Sequence, residues 1–313
     1  MSDAMYGSTL GGARTCILLA VVGVAAAAGP SAPQPRLLPL DPFLDGSGRT
    51  APAMALIPAG RFLMGSTPRM PEYRALEVPH RVELDAFALG RTEVTNQELA
   101  EFLNEEGNDD DGLPFVDLAA AGGALRFDSS VYAAAPAVAR RPATAVSWRG
   151  ARAYCRWLSQ KTGRLYELPT EAQWEWAARA GAASVWPWGD TFDAARLNCR
   201  GRDDAGLEDV GAHPADAYGV FDLLGNAWEW VLDCFAPDFY LYSPTHDPRL
   251  LDAHCLAPGI RGGSFRDPPG YCRPSYRMNF WWRGEESIGF RVARRLVPWE
   301  ETAINVNQGR PDP

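Results

Sequence analysis

The sequence predicts one loop-rich domain in which a few short helices and strands surround an aromatic core. The chain has 30 Gly and 26 Pro, which punctuate turns, and 11 Trp, which fill space between irregular segments. A hydrophobic content of 46% is enough for a sizeable core. The net charge of −9 argues against nucleic acid or an anionic membrane surface as a partner.

The N-terminal residues have the pattern of an export signal. Arg14 precedes an apolar run from Thr15 to Ala28, which suits a signal sequence and is short for a membrane span. An uncleaved membrane anchor is the alternative. We therefore predict a periplasmic or extracellular protein with four segments. These are a signal peptide at 1–28, a disordered spacer at 29–50, a domain at 51–297 and a tail at 298–313.

Removal of the signal leaves five cysteines: Cys155, Cys199, Cys234, Cys255 and Cys272. An odd number in an exported protein leaves at least one thiol free or paired with another chain. Cys234 and Cys255 flank a loop that contains Pro and Asp, and we predict that they form a disulfide. Closing a loop of that length contributes roughly 3 kcal/mol.

Regular elements are predicted first in the N-terminal half. Met54–Met64 alternates around a Pro-Ala-Gly turn, which favours a β-hairpin, and Arg81–Leu89 alternates as a half-buried strand. Thr95 with Glu98 predicts a capping box and a helix to about Asn104. The acidic stretch Glu105–Asp111 follows, and we interpret it as a solvated loop, with cation binding as the alternative.

Two more helices are predicted, one starting at Ser147 and one at Thr170. After Gly181 the regular patterning gives way to turns and short strands. Glu171 and Glu175 lie four residues apart on the third helix, and we interpret them as a helix start and a buried polar contact.

Motifs in a fixed order cover almost all of the predicted domain. They are IPAGRFLMGS (Ile57–Ser66), EVPHRVELDAFALGRTEVTN (Glu77–Asn96), AVSWRGARAYCRWL (Ala145–Leu158), LPTEAQWEWAARAG (Leu168–Gly181), WPWGD (Trp186–Asp190), YGVFDLLGNAWEWV (Tyr218–Val231), RGGSF (Arg261–Phe265) and GFRVARR (Gly289–Arg295). With these motifs the chain resembles the sulfatase-modifying-factor family, whose founding member is the formylglycine-generating enzyme. The resemblance implies an α+β fold of low regular content, similar to C-type lectin domains.

The resemblance also implies calcium. Asp222 and Glu229 lie seven residues apart across a Gly-containing turn, and hard carboxylate oxygens suit Ca²⁺. Carried over by position, these two give side-chain oxygens, and Leu223, Gly225 and Ala227 give carbonyls. The alternative is a buried Asp and Glu satisfied by backbone N–H groups. A second family site would involve Asn198 with Asp203 or Asp204, although the spacing here is shorter.

Copper is the cofactor of the family's oxidase, which binds Cu(I) through two cysteines five residues apart. Cys272 matches the second cysteine, and Asp267 replaces the first. One thiolate with one hard carboxylate should hold soft Cu(I) poorly, so we expect formylglycine generation to be absent. Cys272 beside Arg273 is either a reactive thiol or an inert cysteine, with a disulfide to Cys199 as a further possibility.

The resemblance places Ser264 and Trp228 in the substrate cleft. With Tyr271 and the pair Trp281 and Trp282 they suggest a groove for a peptide, glycan or partner protein. The same aromatic residues would also fit a core position. The sequence therefore predicts an exported, calcium-binding accessory module, and its rival is a copper-dependent oxidase or a related oxidoreductase.

Overall fold

The computed structural model describes residues 35–67, 69–70, 73–201, 206–252 and 254–300. Within them lie three α-helices, α1 (Asn96–Glu106), α2 (Trp148–Thr162) and α3 (Glu171–Arg179), and two 3₁₀ turns at Pro136–Val138 and Phe239–Leu241. The strands are β1 (Met54–Ile57), β2 (Gly60–Met64), β3 (His80–Leu84), β4 (Phe87–Gly90), β5 (Leu125–Asp128), β6 (Val131–Ala134), β7 (Tyr166–Glu167), β8 (Trp228–Cys234), β9 (Pro258–Arg261), β10 (Arg277–Asn279), β11 (Ile288–Gly289) and β12 (Ala293–Arg295). The predicted signal peptide lies outside the described residues. No helix in the described ranges is long and apolar enough to cross a membrane.

The three predicted helix starts are confirmed. Thr95 caps α1 in a capping box with Glu98, and Thr170 caps α3 in one with Gln173. The Ser147 side chain accepts from the Gly150 N–H at the start of α2. These short-range bonds satisfy N–H groups that the first helical turn leaves without a partner, so local sequence is sufficient to predict them.

The sheets join strands that are distant in the chain. One sheet has the order β1-β4-β12-β7, and the other has β10-β9-β8-β11, in which β8 pairs antiparallel with β9 and parallel with β11. Two-stranded sheets form from β2 with β3 and from β5 with β6. The second large sheet positions the candidate site, because β8 and β9 lead into the segments that carry it.

Two strand predictions are wrong in detail. Met54–Met64 is not a hairpin, since β1 pairs with β4 while β2 pairs with β3. Arg81–Leu89 is not one strand, because β3 ends at Leu84 and β4 begins at Phe87 in a different sheet. Both errors have one cause: the alternation is local, whereas the choice of partner strand depends on distant residues.

The described part of the predicted spacer packs against the domain. Phe43 is buried, its N–H donates to Arg49 C=O, and its ring makes an edge contact with Trp157. The start of the predicted tail is also docked, since Glu300 pairs with buried Arg294 at 2.7 Å. The prediction of disorder is therefore wrong for residues 35–50. It was based on the Pro-rich composition, which does not show that Phe43 packs against the domain.

Buried arginine–glutamate pairs run through the interior. Arg261 contacts Glu171 and Glu175 at 2.9 and 2.5 Å, and Arg277 contacts Glu171 at 2.8 Å. Arg291 contacts Glu229 at 2.6 Å. All these side chains are buried, so each charge depends on its partner. The interpretation of Glu171 and Glu175 as buried polar contacts is confirmed.

Candidate functional site

The candidate site begins where β9 ends at Arg261. Gly262 and Gly263 follow with φ of +102° and +73°, a backbone region that other residues rarely adopt. A Cβ on Gly263 would lie 2.5 Å from Cys272 Sγ. The glycine pair therefore turns the chain sharply and lets it fold back over Cys272.

One carboxylate oxygen of Asp267 accepts three hydrogen bonds. Its Oδ2 accepts from Trp228 Nε1 at 2.8 Å, from the Ser264 N–H at 3.0 Å and from Ser264 Oγ at 2.5 Å. Trp228 and Ser264 are buried. Binding copper through that oxygen would require breaking hydrogen bonds to a charged acceptor. The pair Asp267 and Cys272 offers one hard and one soft donor, so it does not fit the family's copper ion, which binds two soft sulfurs.

Cys272 is fully buried, and its surroundings do not activate it. Burial, a hydrogen bond to Cys199 and the nearby charge of Asp267 together hold the pKa of the Cys272 thiol well above its usual range. The Arg273 guanidinium, expected to favour the thiolate, donates to both oxygens of buried Glu77, at 2.6 and 2.8 Å. The reactive-thiol alternative for Cys272 is therefore not supported, because a nucleophile needs the thiolate.

A second sulfur lies beside Cys272. The Cys199 thiol is near enough to raise the pKa of Cys272, and Cys199 is buried as well. The prediction that one thiolate and one carboxylate would hold Cu(I) poorly did not take this second thiol into account. Cys199 is the candidate for a second soft donor beside Cys272.

The predicted cleft residues separate into two groups. Trp228 and Ser264 are 3% and 0% exposed, so they form part of the interior and do not line an open cleft. Tyr271 is half-buried and stacks on Tyr276 with ring centroids 4.4 Å apart. Trp281 is 72% exposed, so the aromatic surface lies away from the buried floor.

The predicted calcium segment forms the expected turn but engages its carboxylates elsewhere. Glu229 is bound by Arg291 through both oxygens, at 2.6 and 2.7 Å, and by Trp174 Nε1 at 2.8 Å. Asp222 has φ +54°, and its Oδ2 accepts from the Gly211 N–H at 2.5 Å. The alternative of satisfied buried carboxylates thus describes Asp222, while Glu229 is satisfied by side chains.

A third carboxylate, Glu93, lies in the same region. Its Oε1 accepts from Asn226 Nδ2 at 3.1 Å, whereas its buried Oε2 has no hydrogen-bond partner and lies 3.9 Å from Arg291 Nη2. Burial and the charge of Asp222 raise the pKa of Glu93 well above its usual value. The region therefore contains more buried acidic groups than Arg291 alone neutralises, which suits a cation or a bound proton.

The residues predicted to give carbonyl ligands, and Asn198 of the predicted second calcium site, lie in the interior. Leu223 and Ala227 are buried, and Gly225 N–H donates to Gly262 C=O at 2.9 Å. Asn198 is buried and donates to Gly206 C=O at 2.7 Å. Asp203 and Asp204 lie outside the described residues.

Sequence reasoning missed two surrounding features. Glu93 sits in the TEVTN motif, where its polar neighbours Thr92 and Thr95 gave no sign that it would be buried. A surface group of Asp85, His246 and Asp247 also places three potential metal-ligand atoms within 4.8 Å of one another. It was missed because its members are distant in sequence. In the described ranges, none of the predicted ligands belongs to a group of this kind.

The predicted disulfide is present. Cys234 and Cys255 are joined at the end of β8, with Cα atoms 5.6 Å apart. Cys155, on α2, is buried.

Comparisons with known proteins agree with this architecture. Residues 43–296 match the family described as "Sulfatase-modifying factor enzyme 1-like domain". The match starts within the segment predicted as spacer, in accord with the packing of Phe43. The structure of PvdO from Pseudomonas aeruginosa superposes with a TM-score of 0.65 at 31% identity, covering 79% of this chain and 95% of that one. The predicted loop-rich α+β fold is confirmed.

Curated relatives include enzymes of several kinds. The formylglycine-generating enzyme of Streptomyces coelicolor is 31% identical over 238 residues, or 64% of this chain and 73% of the relative. Hercynine oxygenase of Mycolicibacterium smegmatis is 30% identical over 233 residues, 63% of this chain and 50% of the relative. Serine/threonine-protein kinase pkn1 of Chlamydia pneumoniae is 32% identical over 225 residues, 70% of this chain. The match spans only 35% of that kinase, so its whole activity does not transfer.

Proposed function

From the premise that this chain belongs to the sulfatase-modifying factor enzyme 1-like family, we propose that it is an accessory member that binds a partner and does not generate formylglycine. The observation that carries the proposal is the fastening of Asp267. Its Oδ2 accepts three hydrogen bonds in the place where the family's oxidase has a sulfur ligand.

The closed floor of the site supports the same conclusion. A substrate cysteine can be oxidised at a metal only if it reaches the metal ion. Here Ser264 and Cys272 are 0% exposed, and Trp228 is 3% exposed. A peptide could therefore reach this site only if several packed side chains moved and the three hydrogen bonds to Asp267 broke.

The exposed aromatic loop supports binding as the activity. Trp148 N–H donates to Trp282 C=O at 2.9 Å, and Ala145 N–H donates to Glu285 C=O at 2.9 Å, so the loop is attached on both sides of its turn. Gly284 packs so closely that a Cβ would lie 2.4 Å from Ala145 C. The loop thus presents Trp281 on a restrained backbone, which lowers the entropy lost on binding. We assign this surface to a protein, peptide or glycan ligand.

Calcium and export are further parts of the proposal. The buried carboxylates Glu93, Asp222 and Glu229 face the single guanidinium of Arg291, and the unpartnered Glu93 Oε2 is an oxygen suited to a hard cation. The Cys234–Cys255 disulfide is typical of an oxidising compartment, which favours a periplasmic or extracellular location. We assign the calcium role to the Asp222 segment.

A copper-dependent oxidoreductase is the second candidate, and the contact between Cys199 and Cys272 favours it. Peptide oxidation separates the two. The protein is incubated with Cu(I), oxygen and a peptide carrying the sulfatase cysteine motif, with the Streptomyces coelicolor enzyme as positive control. We expect the peptide mass to remain unchanged while the control converts it to the aldehyde. Aldehyde formation by this protein would refute the accessory function.

A further inference from the structure

A cavity of about 550 Å³ lies beside α2, and none of the residues discussed above as copper or calcium ligands lines it. Its walls include residues of α2, of the short strand β7 and of β12. Three arginines contribute to the lining: Arg152 and Arg156 on α2, and Arg295 at the end of β12. It is called the arginine cavity below.

The two arginines of α2 lie on the same face of the helix. Side chains four residues apart on a helix are neighbours, and like charges at that spacing repel each other. Burial, together with the nearby charge of Arg156, lowers the pKa of Arg152. The two positive charges are therefore close enough to disfavour each other, and an anion between them would relieve that repulsion.

Carboxylates do not neutralise these arginines. In the part of the chain that the structure describes, Arg152, Arg156 and Arg295 form no salt bridge. Glu167 is the one carboxylate among the described residues that line the cavity, and it is exposed. The arginine cavity thus has three positive charges against one negative charge, in a protein whose net charge is −9.

Arg152 is held in place by an aromatic ring. Its guanidinium carbon lies 4.6 Å from the centroid of the Trp148 ring. Trp148 is buried, and its Nε1 donates to Val231 C=O at 2.8 Å, so the ring is a fixed surface for the cation. A guanidinium that is already positioned loses less conformational entropy when it binds a ligand.

The remaining walls are fixed and partly apolar. Ser159 Oγ donates to Cys155 C=O at 2.7 Å and accepts from Tyr166 N–H at 2.9 Å, which joins β7 to α2. Leu168 and Leu232 are buried and line the same cavity. Its volume lies in the range of pockets for small organic molecules, so there is room for an apolar group beside the charged one.

We propose that the arginine cavity binds a small organic oxyanion, whose phosphate, sulfate or carboxylate group lies among the guanidinium groups of Arg152, Arg156 and Arg295. Its apolar part packs against Leu168 and Leu232. A guanidinium group presents parallel N–H donors that match the oxygens of such anions. Binding makes and breaks no covalent bond. The proposal does not depend on the accessory function, because the two sites share no residue.

Isothermal titration calorimetry of the protein tests this site. The probes are 1-naphthyl phosphate, 1-naphthyl sulfate and 1-naphthoate, with inorganic phosphate and 1-naphthol as the charged and apolar fragments. We expect at least one of the three naphthyl anions to bind at one site per chain. Each fragment should bind at least about 10-fold more weakly, because it lacks either the buried apolar group or the charged hydrogen bonds.

Two variants separate the arginine cavity from general charge. Arg156→Gln should weaken binding of the naphthyl anion by roughly 10-fold or more, because hydrogen bonds between charged groups are the strong ones. Arg126→Gln removes an exposed arginine of β5 that does not line the cavity, and it should leave the affinity unchanged. Arg156 is exposed, so its replacement should preserve the fold, which urea unfolding verifies.

The substitution Arg152→Lys adds a test of geometry. Lysine keeps the charge but loses the planar pair of donors, so this variant should bind more weakly than wild type and more tightly than Arg152→Gln. Several results would overturn the proposal: no binding of any naphthyl anion, equal affinity in Arg156→Gln, or 1-naphthol binding as tightly as the anions. Binding only to vesicles that contain phosphatidylglycerol would overturn it as well, since the ligand would then be a membrane surface.

Discussion

Replacement of Asp267 tests whether the hydrogen bonds to its carboxylate stabilise the folded protein. Because Trp228 Nε1, Ser264 N and Ser264 Oγ all donate to the same oxygen, an asparagine can present its amide oxygen in that position. Asp267→Asn should therefore retain the three bonds and lose only the charge. Asp267→Ala removes the acceptor altogether.

The expected destabilisation follows from these contacts. Asp267→Ala leaves the buried indole N–H of Trp228 and the Ser264 backbone N–H without this acceptor, at about 1–3 kcal/mol per unsatisfied group. The Ser264 hydroxyl can rotate toward another acceptor, so we expect a total near 3 kcal/mol. Asp267→Asn should cost about 1 kcal/mol, the difference between a charged and a neutral acceptor.

Urea unfolding followed by tryptophan fluorescence measures both changes, and unchanged m-values would permit the comparison. For a chain of this size 1 kcal/mol corresponds to about 2–4 °C in Tm, so Asp267→Ala should melt roughly 6–12 °C lower. Asp209→Ala is the control, because Asp209 is exposed and its contact with Arg140 is 3.8 Å long. Equal stability of the Ala and Asn variants, within 0.5 kcal/mol, would show that the three hydrogen bonds to Asp267 do not stabilise the protein.

Three other predictions concern buried charge. Arg291→Met should destabilise the protein by about 3–5 kcal/mol in urea unfolding, because it strands buried Glu229; a loss below 1 kcal/mol would contradict the pair's structural role. Burial raises the pKa of Asp216 to about 6, so its stabilising effect is present at low pH and is lost as pH rises toward 6 and beyond. Wild type should therefore gain about 1.4 kcal/mol relative to Asp216→Asn between pH 7.5 and pH 5, and a pH-independent difference would exclude this proton. Finally, a chelator should lower the wild-type Tm by several degrees, since a cation at 100 times its Kd contributes about 2.7 kcal/mol. Glu93→Gln should reduce that shift, and a wild-type Tm indifferent to chelation would remove calcium from the proposal.

Features encoded by neighbouring residues could be predicted from the sequence. Thr95, Ser147 and Thr170 cap helices because each side chain bonds to a backbone N–H three residues ahead. The Cys234–Cys255 bridge was predictable because its loop is short and flanked by both cysteines.

Features decided by distant contacts were not predictable. The choice of Arg291 as the partner of Glu229 depends on the pairing of β8 with β11. Whether Trp228 lines an open cleft or is buried also depends on tertiary packing, because an indole at this position fits both. For Cys199 the sequence suggested a disulfide to Cys272 as one possibility. That the two residues are neighbours follows only from the folded backbone.

Native-state alkylation of Cys272 tests most directly whether the buried part of the site, with Ser264 and Cys272, is closed to solvent. Folded protein is treated with iodoacetamide at pH 8, and modification of each cysteine peptide is followed by mass spectrometry against a urea-unfolded sample. Because Cys272 is 0% exposed and its pKa is raised, we predict modification at least about 100-fold slower than in urea, as for buried Cys155. Modification of Cys272 at the unfolded rate, in protein whose fluorescence shows that it remains folded, would contradict the account.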